Sequence, residues 1–270
     1  MPSALPRLTE RALRWTSRGL VGVTWLSAGT FGVYILAHYG GALPAGKPLE
    51  WNQTLPGIYD ASTPLATLGI ALHFATGGVL LALGPLQLFQ GLRARWPAFH
   101  RWAGRVYVAA ALGAGVGGLV FIAVRGTVGG LPMSVGFALY GIAIVAAAAQ
   151  AVRHARARRF DLHRAWAIRL YALVIGSWLY RMDYGFWLLL DRPGHTPTFD
   201  GSFDHVMDFF FYIPNLLVAE LFIRASGRAP GPRAQAVASA ALAAGTAFLA
   251  LATYFFVRYS WAPAIVARFS

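Results

Sequence analysis

Five long stretches without a charged residue dominate this sequence. They span residues 20–37, 65–92, 106–124, 133–152 and 234–257. A helix needs roughly 20 apolar residues to cross about 30 Å of hydrocarbon, and each stretch is near or above that length. The chain is 57% hydrophobic and 12% charged, which is more apolar surface than a soluble fold of 270 residues needs. We therefore expect an all-α fold, a polytopic bundle of membrane helices.

Two further segments are apolar in the middle but contain Arg181, Asp183 and Asp208. With these two included, we predict seven transmembrane helices. Their expected bounds are about 20–39, 65–90, 104–124, 132–152, 164–190, 205–223 and 235–257. The longest gap between them is too short for a soluble domain, so residues 1–270 are predicted to form a single integral membrane domain.

The basic residues predict how these helices are oriented. The face that carries the N-terminus would hold 17 Lys and Arg residues and the opposite face 5, with Arg181 left inside the bilayer. Short cytoplasmic loops collect Lys and Arg during insertion, so we expect the N-terminus in the cytoplasm and the C-terminus outside the cell (inner) membrane. Seven crossings place the two termini on opposite faces, as the charge count does.

The net charge of +13 has a simpler source than nucleic-acid binding. Basic inner loops lie beside anionic lipid headgroups, and no basic soluble domain is predicted that could grip a duplex. We expect membrane lipids as partners and no nucleic acid.

The sequence contains no cysteine, which excludes disulfides and thiolate metal sites.

An arginine-rich motif occurs twice. The first copy comprises Arg93-x-Arg95, His100-Arg101 and Arg105-x-Tyr107, and the second comprises Arg156-x-Arg158, His163-Arg164 and Arg169-x-Tyr171. The second copy is one residue longer, between its His-Arg pair and its last arginine. Each copy lies between two apolar segments, so each unit predicts a helical hairpin that turns on the inner face. Residues 65–124 and 132–190 would then form a pseudo-symmetric four-helix core.

These motifs resemble those of a known family. The resemblance rests on His73, Gly84-Pro85-Leu86-Gln87, Arg93, Arg95, His100-Arg101-x-x-Gly104-Arg105-x-Tyr107, His163-Arg164-x-Trp166-x-Ile168-Arg169 and Arg181. Their order and spacing are similar to those of a bacterial and fungal membrane-protein family catalogued as domain of unknown function 2306. The resemblance covers about residues 66–181. It implies a multi-pass membrane protein and supplies no reaction.

The first candidate site is a polar layer near the outer ends of the helices. His73 and Arg181 would lie roughly 12 Å and 13 Å below those ends, with Asp183, Asp208 and Tyr212 in or just above the same layer. An arginine at this depth costs at least ~2.5 kcal/mol unless it has a partner or water. One interpretation is a pocket in which Arg181 binds an anionic or carbonyl-bearing ligand such as a quinone, while His73 ligates or shuttles protons. The alternative is an internal ion pair of Arg181 with Asp183 or Asp208, together with a His73 that is only hydrogen-bonded within the protein.

The second candidate site is on the inner face. It comprises His100, Arg101, Arg105, His163, Arg164 and Arg169. The two histidines, at equivalent positions of the repeat, could ligate the iron of a haem b or another metal. The flanking arginines could then form ion pairs with the haem propionates. The same residues could instead bind a phosphate at helix N-termini, or only contact lipid headgroups.

Three functions remain open on the sequence alone. The chain could be a membrane redox or cofactor-binding protein that uses haem or quinone. It could be a transporter or a small-molecule or lipid-binding protein, or a non-catalytic accessory subunit of a membrane complex. Hydrolase signatures such as HExxH and a Gly-rich phosphate loop are absent from the sequence, so no catalytic residue is predicted.

Overall fold

The computed structural model of this protein describes residues 5–35, 46, 48–53, 58–88, 90–227 and 231–269, and these contain helices and no strand. The helices are α1 (Leu5–Ile35), α2 (Pro64–Leu88), α3 (Gln90–Arg95), α4 (Pro97–Arg125), α5 (Gly130–Arg156), α6 (Phe160–Val174), α7 (Gly176–Leu189), α8 (Ser202–Phe210), α9 (Ile213–Ala225), α10 (Pro232–Phe256) and α11 (Ala262–Phe269). A 3₁₀ turn covers Pro48–Gln53, and a π-helical turn, Val257–Trp261, joins α10 to α11. The expected all-α fold is confirmed.

Five helical segments in the described part of the chain are long and apolar enough to cross a membrane. They are α2, α4, α5, the α8–α9 segment Ser202–Ala225, and Pro232–Val266, which includes α10. The protein is therefore a multi-pass membrane protein. Helix α1 and the α6–α7 segment, which correspond to the first and fifth predicted helices, are outside this set, so the count of seven stays a prediction. Residues 36–39 of the first predicted helix lie outside the described residues.

The packing pairs the helices into hairpins. Helix α2 packs along α4 and α5 along α6, while α4 and α5 join the two pairs. Glycine lets α2 and α4 approach closely, because a Cβ built at Gly117 would lie 2.5 Å from the carbonyl oxygen of Gly69. Helix α1 packs along α10, and α9 contacts both α6 and α10. The two hairpins are those that the repeated motif predicts, while the symmetry between them stays a prediction.

The fifth predicted helix is interrupted by a side chain from α5. The hydroxyl of Tyr140 donates to the carbonyl oxygen of Leu173 at 2.7 Å and accepts from the backbone N–H of Ser177 at 3.2 Å. In a regular helix that N–H bonds directly to the carbonyl four residues before it. The inserted hydroxyl separates the two groups, so the segment 164–190 divides into α6 and α7 at Ile175.

The sixth predicted helix is also divided, and the two breaks meet. Pro214 has no N–H to continue the helical bonding, and the side-chain amide of Asn215 donates to the carbonyl oxygen of Phe211 at 2.7 Å. A Cβ built at Gly176, the first residue of α7, would lie 3.3 Å from that same carbonyl oxygen. The ring of Tyr140 packs 4.8 Å from that of Phe211. Two discontinuous helices therefore face each other around one tyrosine.

Candidate functional sites

Arg181 lies on α7 and is half-buried. Its Nη1 donates to the carbonyl oxygen of Ser177 at 2.8 Å, and its guanidinium carbon lies 5.8 Å from the centre of the Phe31 ring on α1. Among the described residues no ion pair joins Arg181 to Asp183 or Asp208. For Asp183 the reason is helical geometry, since two residues turn the side chain by roughly 200° to the other side of α7.

Arg181 interacts electrostatically with side chains on several helices. It acts electrostatically on His73 of α2, Tyr140 of α5 and Tyr180 of its own helix. The electrostatic influence of Arg181 on His73 agrees with their expected position in one layer, which stays a prediction. The break between α6 and α7, where the Tyr140 hydroxyl is inserted, therefore lies within the electrostatic range of Arg181.

His73 is held in one orientation by α4. Its Nδ1 lies 2.9 Å from the carbonyl oxygen of Ala114. Because a carbonyl oxygen only accepts, Nδ1 carries the hydrogen, and in the neutral imidazole the lone pair is then on Nε2. The Nε2 atom can accept a hydrogen bond or a proton, or bind a metal. This geometry suits either of the roles expected for His73.

Asp208 is fully buried on α8 and has no hydrogen-bond partner within the described ranges for either carboxylate oxygen. The closest basic group that pairs with it is Nδ1 of His205, at 3.7 Å from Oδ2. Tyr180 of α7 interacts with it electrostatically. Tyr212 is buried at the break between α8 and α9, where its ring lies 5.4 Å from that of Tyr140.

Asp204, one turn before Asp208, is a polar centre that sequence reasoning missed. Its Oδ1 accepts from the hydroxyl of Tyr184 at 2.7 Å and from Nδ1 of His195 at 2.8 Å. Its Oδ2 accepts from the backbone N–H groups of Thr196 at 3.0 Å and Gly201 at 2.9 Å. The sequence does contain a signal for this role. Asp204 is three positions after Gly201, the N-cap of α8, and an acidic residue at that position caps the first turn of a helix.

At the second candidate site, the structure brings His100 and His163 close enough to interact electrostatically. Nδ1 of His163 lies 2.9 Å from the carbonyl oxygen of Ala151, so this imidazole is oriented like that of His73. Nδ1 of His100 is buried and has no hydrogen-bond partner among the residues described. The charge of Arg93, which the predicted site did not include, acts on His100 as well as on Arg164.

The remaining arginines of the predicted inner site divide into different environments. Arg101 acts on His100, whereas Arg105 is exposed on α4. Arg169 forms an ion pair with Glu220 of α9 and lies 4.7 Å from the Trp166 ring. Its charge is thus already balanced within the protein. Arg164 packs 5.7 Å from the ring of Phe222, also on α9.

The equivalent tyrosines of the two motif copies converge deeper in the bundle. A Cβ built at Gly84 of α2 would lie 2.9 Å from the ring of Tyr171 and 3.2 Å from that of Tyr107. The hydroxyl of Tyr107 and Nε2 of Gln87 are buried without a hydrogen-bond partner in the described part of the chain. A buried polar group without a partner indicates water or a ligand nearby.

No group of three or more His, Asp or Glu side chains in the described ranges is arranged to hold a metal ion. His100 and His163 are a set of two, and a haem iron takes one or two axial ligands from a protein. A separate groove on α4 and α5 has apolar walls and two arginines. It is lined by Leu112, Ala148, Ala149, Val152, Arg153, Arg156 and Ala157.

One comparison with known proteins gives a match. A family model described as "Predicted membrane protein (DUF2306)" matches residues 70–223, more than half of the chain. The match begins in α2 and ends in α9, so it includes both candidate sites. No curated protein and no solved structure matches the chain.

Proposed function

We propose that this chain, which belongs to the DUF2306 family of predicted membrane proteins, binds a small carbonyl- or carboxylate-bearing molecule at Arg181 and His73. The observation that carries the proposal is that Arg181 has no carboxylate partner among the described residues. This arginine is half-buried on α7, beside Phe31, with a hydrogen bond to its own helix and without an ion pair among the described residues. An uncompensated arginine costs at least ~2.5 kcal/mol at membrane depth, and a bound oxygen acceptor offsets that cost.

The ligand class that fits best is a quinone. A quinone is apolar enough to enter from the bilayer, and its carbonyl oxygen accepts from a guanidinium. Phe31 provides aromatic surface beside Arg181. His73, with Nδ1 bound to Ala114, presents Nε2 as a proton acceptor. The proposal concerns binding and assigns no reaction.

Fluorescence titration tests this proposal directly. The purified full chain is titrated with a short-chain quinone while quenching of tryptophan emission is followed. Arg181→Leu should weaken binding about 10- to 100-fold, because a hydrogen bond to a charged group contributes roughly 1.5–3 kcal/mol. Arg258→Leu, at an exposed arginine, is the control and should bind as the wild type does. Equal affinity of wild type and Arg181→Leu would refute the site.

The second candidate function is haem b binding by His100 and His163. Metal-ligating histidines commonly donate their other ring N–H to a backbone carbonyl, as His163 does to Ala151. The unpartnered Nδ1 of His100 and the nearby charges of Arg93 and Arg164 also support a ligand here. A reduced-minus-oxidised absorbance spectrum of the purified protein tests it. A spectrum without a haem band leaves phosphate or lipid headgroups as the ligands of the inner site.

Transport of the bound molecule is a third candidate, favoured by the two discontinuous helices that meet at Tyr140. Transporters place substrates at such breaks, where backbone groups are free to bind. Uptake of a labelled quinone by proteoliposomes distinguishes transport from binding alone. An accessory subunit of a membrane complex would instead co-purify with partner subunits and show neither activity.

The basic residues favour a location in the cell (inner) membrane, with the N-terminus in the cytoplasm and the C-terminus outside. Reporter fusions at the α5–α6 turn, near Arg156, should be active in the cytoplasm. Fusions in the α7–α8 loop, near Asp200, should be active outside. The reverse pattern would overturn the orientation but not the Arg181 site.

A further inference from the structure

Two aspartates one turn apart on α8 have opposite surroundings. Asp204 and Asp208 are both fully buried. Asp204 receives four hydrogen bonds, which satisfy a charged carboxylate. Asp208 receives none from the described residues on either oxygen, and His205 Nδ1 is 3.7 Å away. Their identical side chains must therefore be stabilised in different ways.

A buried carboxylate without donors is strongly disfavoured, because its lost hydration is not replaced. Such a group is neutralised by a proton or by a bound cation. We propose that Asp208 is a proton-binding residue that exchanges its proton with water at the N-terminal end of α8 through His205. His205 suits this role because its side chain is 47% exposed while its Nδ1 lies close to Asp208.

The surroundings of Asp208 favour a proton over a metal cation. Calcium takes six to eight oxygen ligands and magnesium requires an octahedral set. The titratable groups that face Asp208 are His205 and Asp204 on α8 and Tyr180 on α7. Helix α5 presents Gly136, which has no side chain, to this part of α8. Within the described ranges, no group of three or more His, Asp or Glu side chains is arranged to hold either metal.

The position of Asp208 connects the proton to the broken helices. A Cβ built at Gly136 would lie 2.3 Å from the backbone carbonyl oxygen of Asp208, so α5 and α8 are in direct backbone contact there. The break at Phe211 and Tyr212 follows three residues later. A change in the charge of Asp208 therefore alters the electrostatic field at the point where α5, α7 and α8 meet. The inference concerns Asp208 alone and does not require a molecule at Arg181.

Infrared spectroscopy of the purified full chain, without added ligand, tests the proposal. A protonated carboxyl group absorbs apart from carboxylates and amides, so the wild type should show a carboxylic acid band at about pH 5, where exposed carboxyl groups are still largely ionised. Asp208→Asn should remove that band. Asp200→Asn, at an exposed carboxyl that accepts hydrogen bonds from Thr196 and Thr198, is the control and should retain it. If Asp208→Asn does not fold, Asp208→Glu should shift the band in frequency instead.

The route is tested by the rate at which the band shifts after transfer into D₂O. His205→Gln should slow this exchange at least about tenfold, since a positioned imidazole accelerates proton transfer by about 10² or more. His195→Gln, at the neighbouring Asp204, should leave the rate unchanged. An unchanged rate in His205→Gln would overturn the route.

Two results would overturn proton binding itself. One is a band that persists in Asp208→Asn, which would assign the proton to another carboxyl. The other is a wild type without the band whose melting temperature rises with added sodium or calcium, but only when Asp208 is present. That result would identify a cation site. Loss of quinone binding would affect neither conclusion, so failure of the two proposals can be told apart.

Discussion

Replacing Tyr140 with phenylalanine tests the origin of the break between α6 and α7. The substitution removes one oxygen and leaves the ring packed against Phe211. It deletes the bond to the carbonyl oxygen of Leu173, at 2.7 Å, and the bond from the N–H of Ser177, at 3.2 Å. If the break persists, both backbone groups lose their partner, because both bonds run through the deleted hydroxyl.

The expected loss follows from the cost of unpaired polar groups. An unsatisfied buried backbone group costs about 1–3 kcal/mol, and closing the helix would restore one direct bond between the two groups. We therefore expect Tyr140→Phe to lower the free energy of unfolding by about 1–3 kcal/mol. In a chain of this size that lowers the melting temperature by roughly 2–4 °C per kcal/mol.

Thermal unfolding in detergent measures the total effect, and hydrogen exchange at Ser177 reports the local one. The amide of Ser177 should exchange faster if the break persists and more slowly if the helix closes. Tyr212→Phe is the control, because this neighbouring hydroxyl makes no hydrogen bond to a described residue. The reasoning is refuted if Tyr140→Phe unfolds like the wild type and Ser177 exchanges at the same rate.

Three further substitutions test separate contacts. Asp204→Asn should destabilise the protein by about 2–3 kcal/mol, because an amide cannot accept as many bonds as a carboxylate, and chemical unfolding would detect this. Gly117→Val should weaken the folded state by disrupting the close approach of α2 and α4, seen as a lower melting temperature, whereas unchanged melting would contradict the packing. Hydrogen bonds from Ser62, together with the charge of Arg125, lower the pKa of Asp60 from 3.8. The stabilisation is therefore present above that ordinary value and lost as the pH falls through the lowered one, a dependence that Asp60→Asn should abolish in melting curves recorded at several pH values.

The amino-acid sequence alone determines the class of this protein and the pairing of its helices. Uncharged stretches of membrane length and the repeated motif with His100 and His163 are local patterns. Hydrocarbon solvent admits few structures besides helices that bond internally, so such patterns suffice to predict a helical membrane bundle. The shared layer of His73 and Arg181 comes from counting residues along helices and stays a prediction.

Tertiary structure decided which polar groups satisfy one another. Tyr140 reaches a carbonyl 33 positions later, and no periodicity in α5 indicates that its hydroxyl would divide α6 from α7. Arg181 and Asp208 lie without an ion pair between them among the described residues, although an ion pair was one of the two interpretations that their expected depth allowed. Asp204 and Asp208 look alike in sequence, but Asp204 accepts four hydrogen bonds and Asp208 accepts none from the described residues. The physical reason is that hydrophobicity and helical periodicity act over neighbouring residues. Hydrogen bonding inside a bundle depends on how each helix is rotated against the others, and the packing of the whole chain sets that rotation.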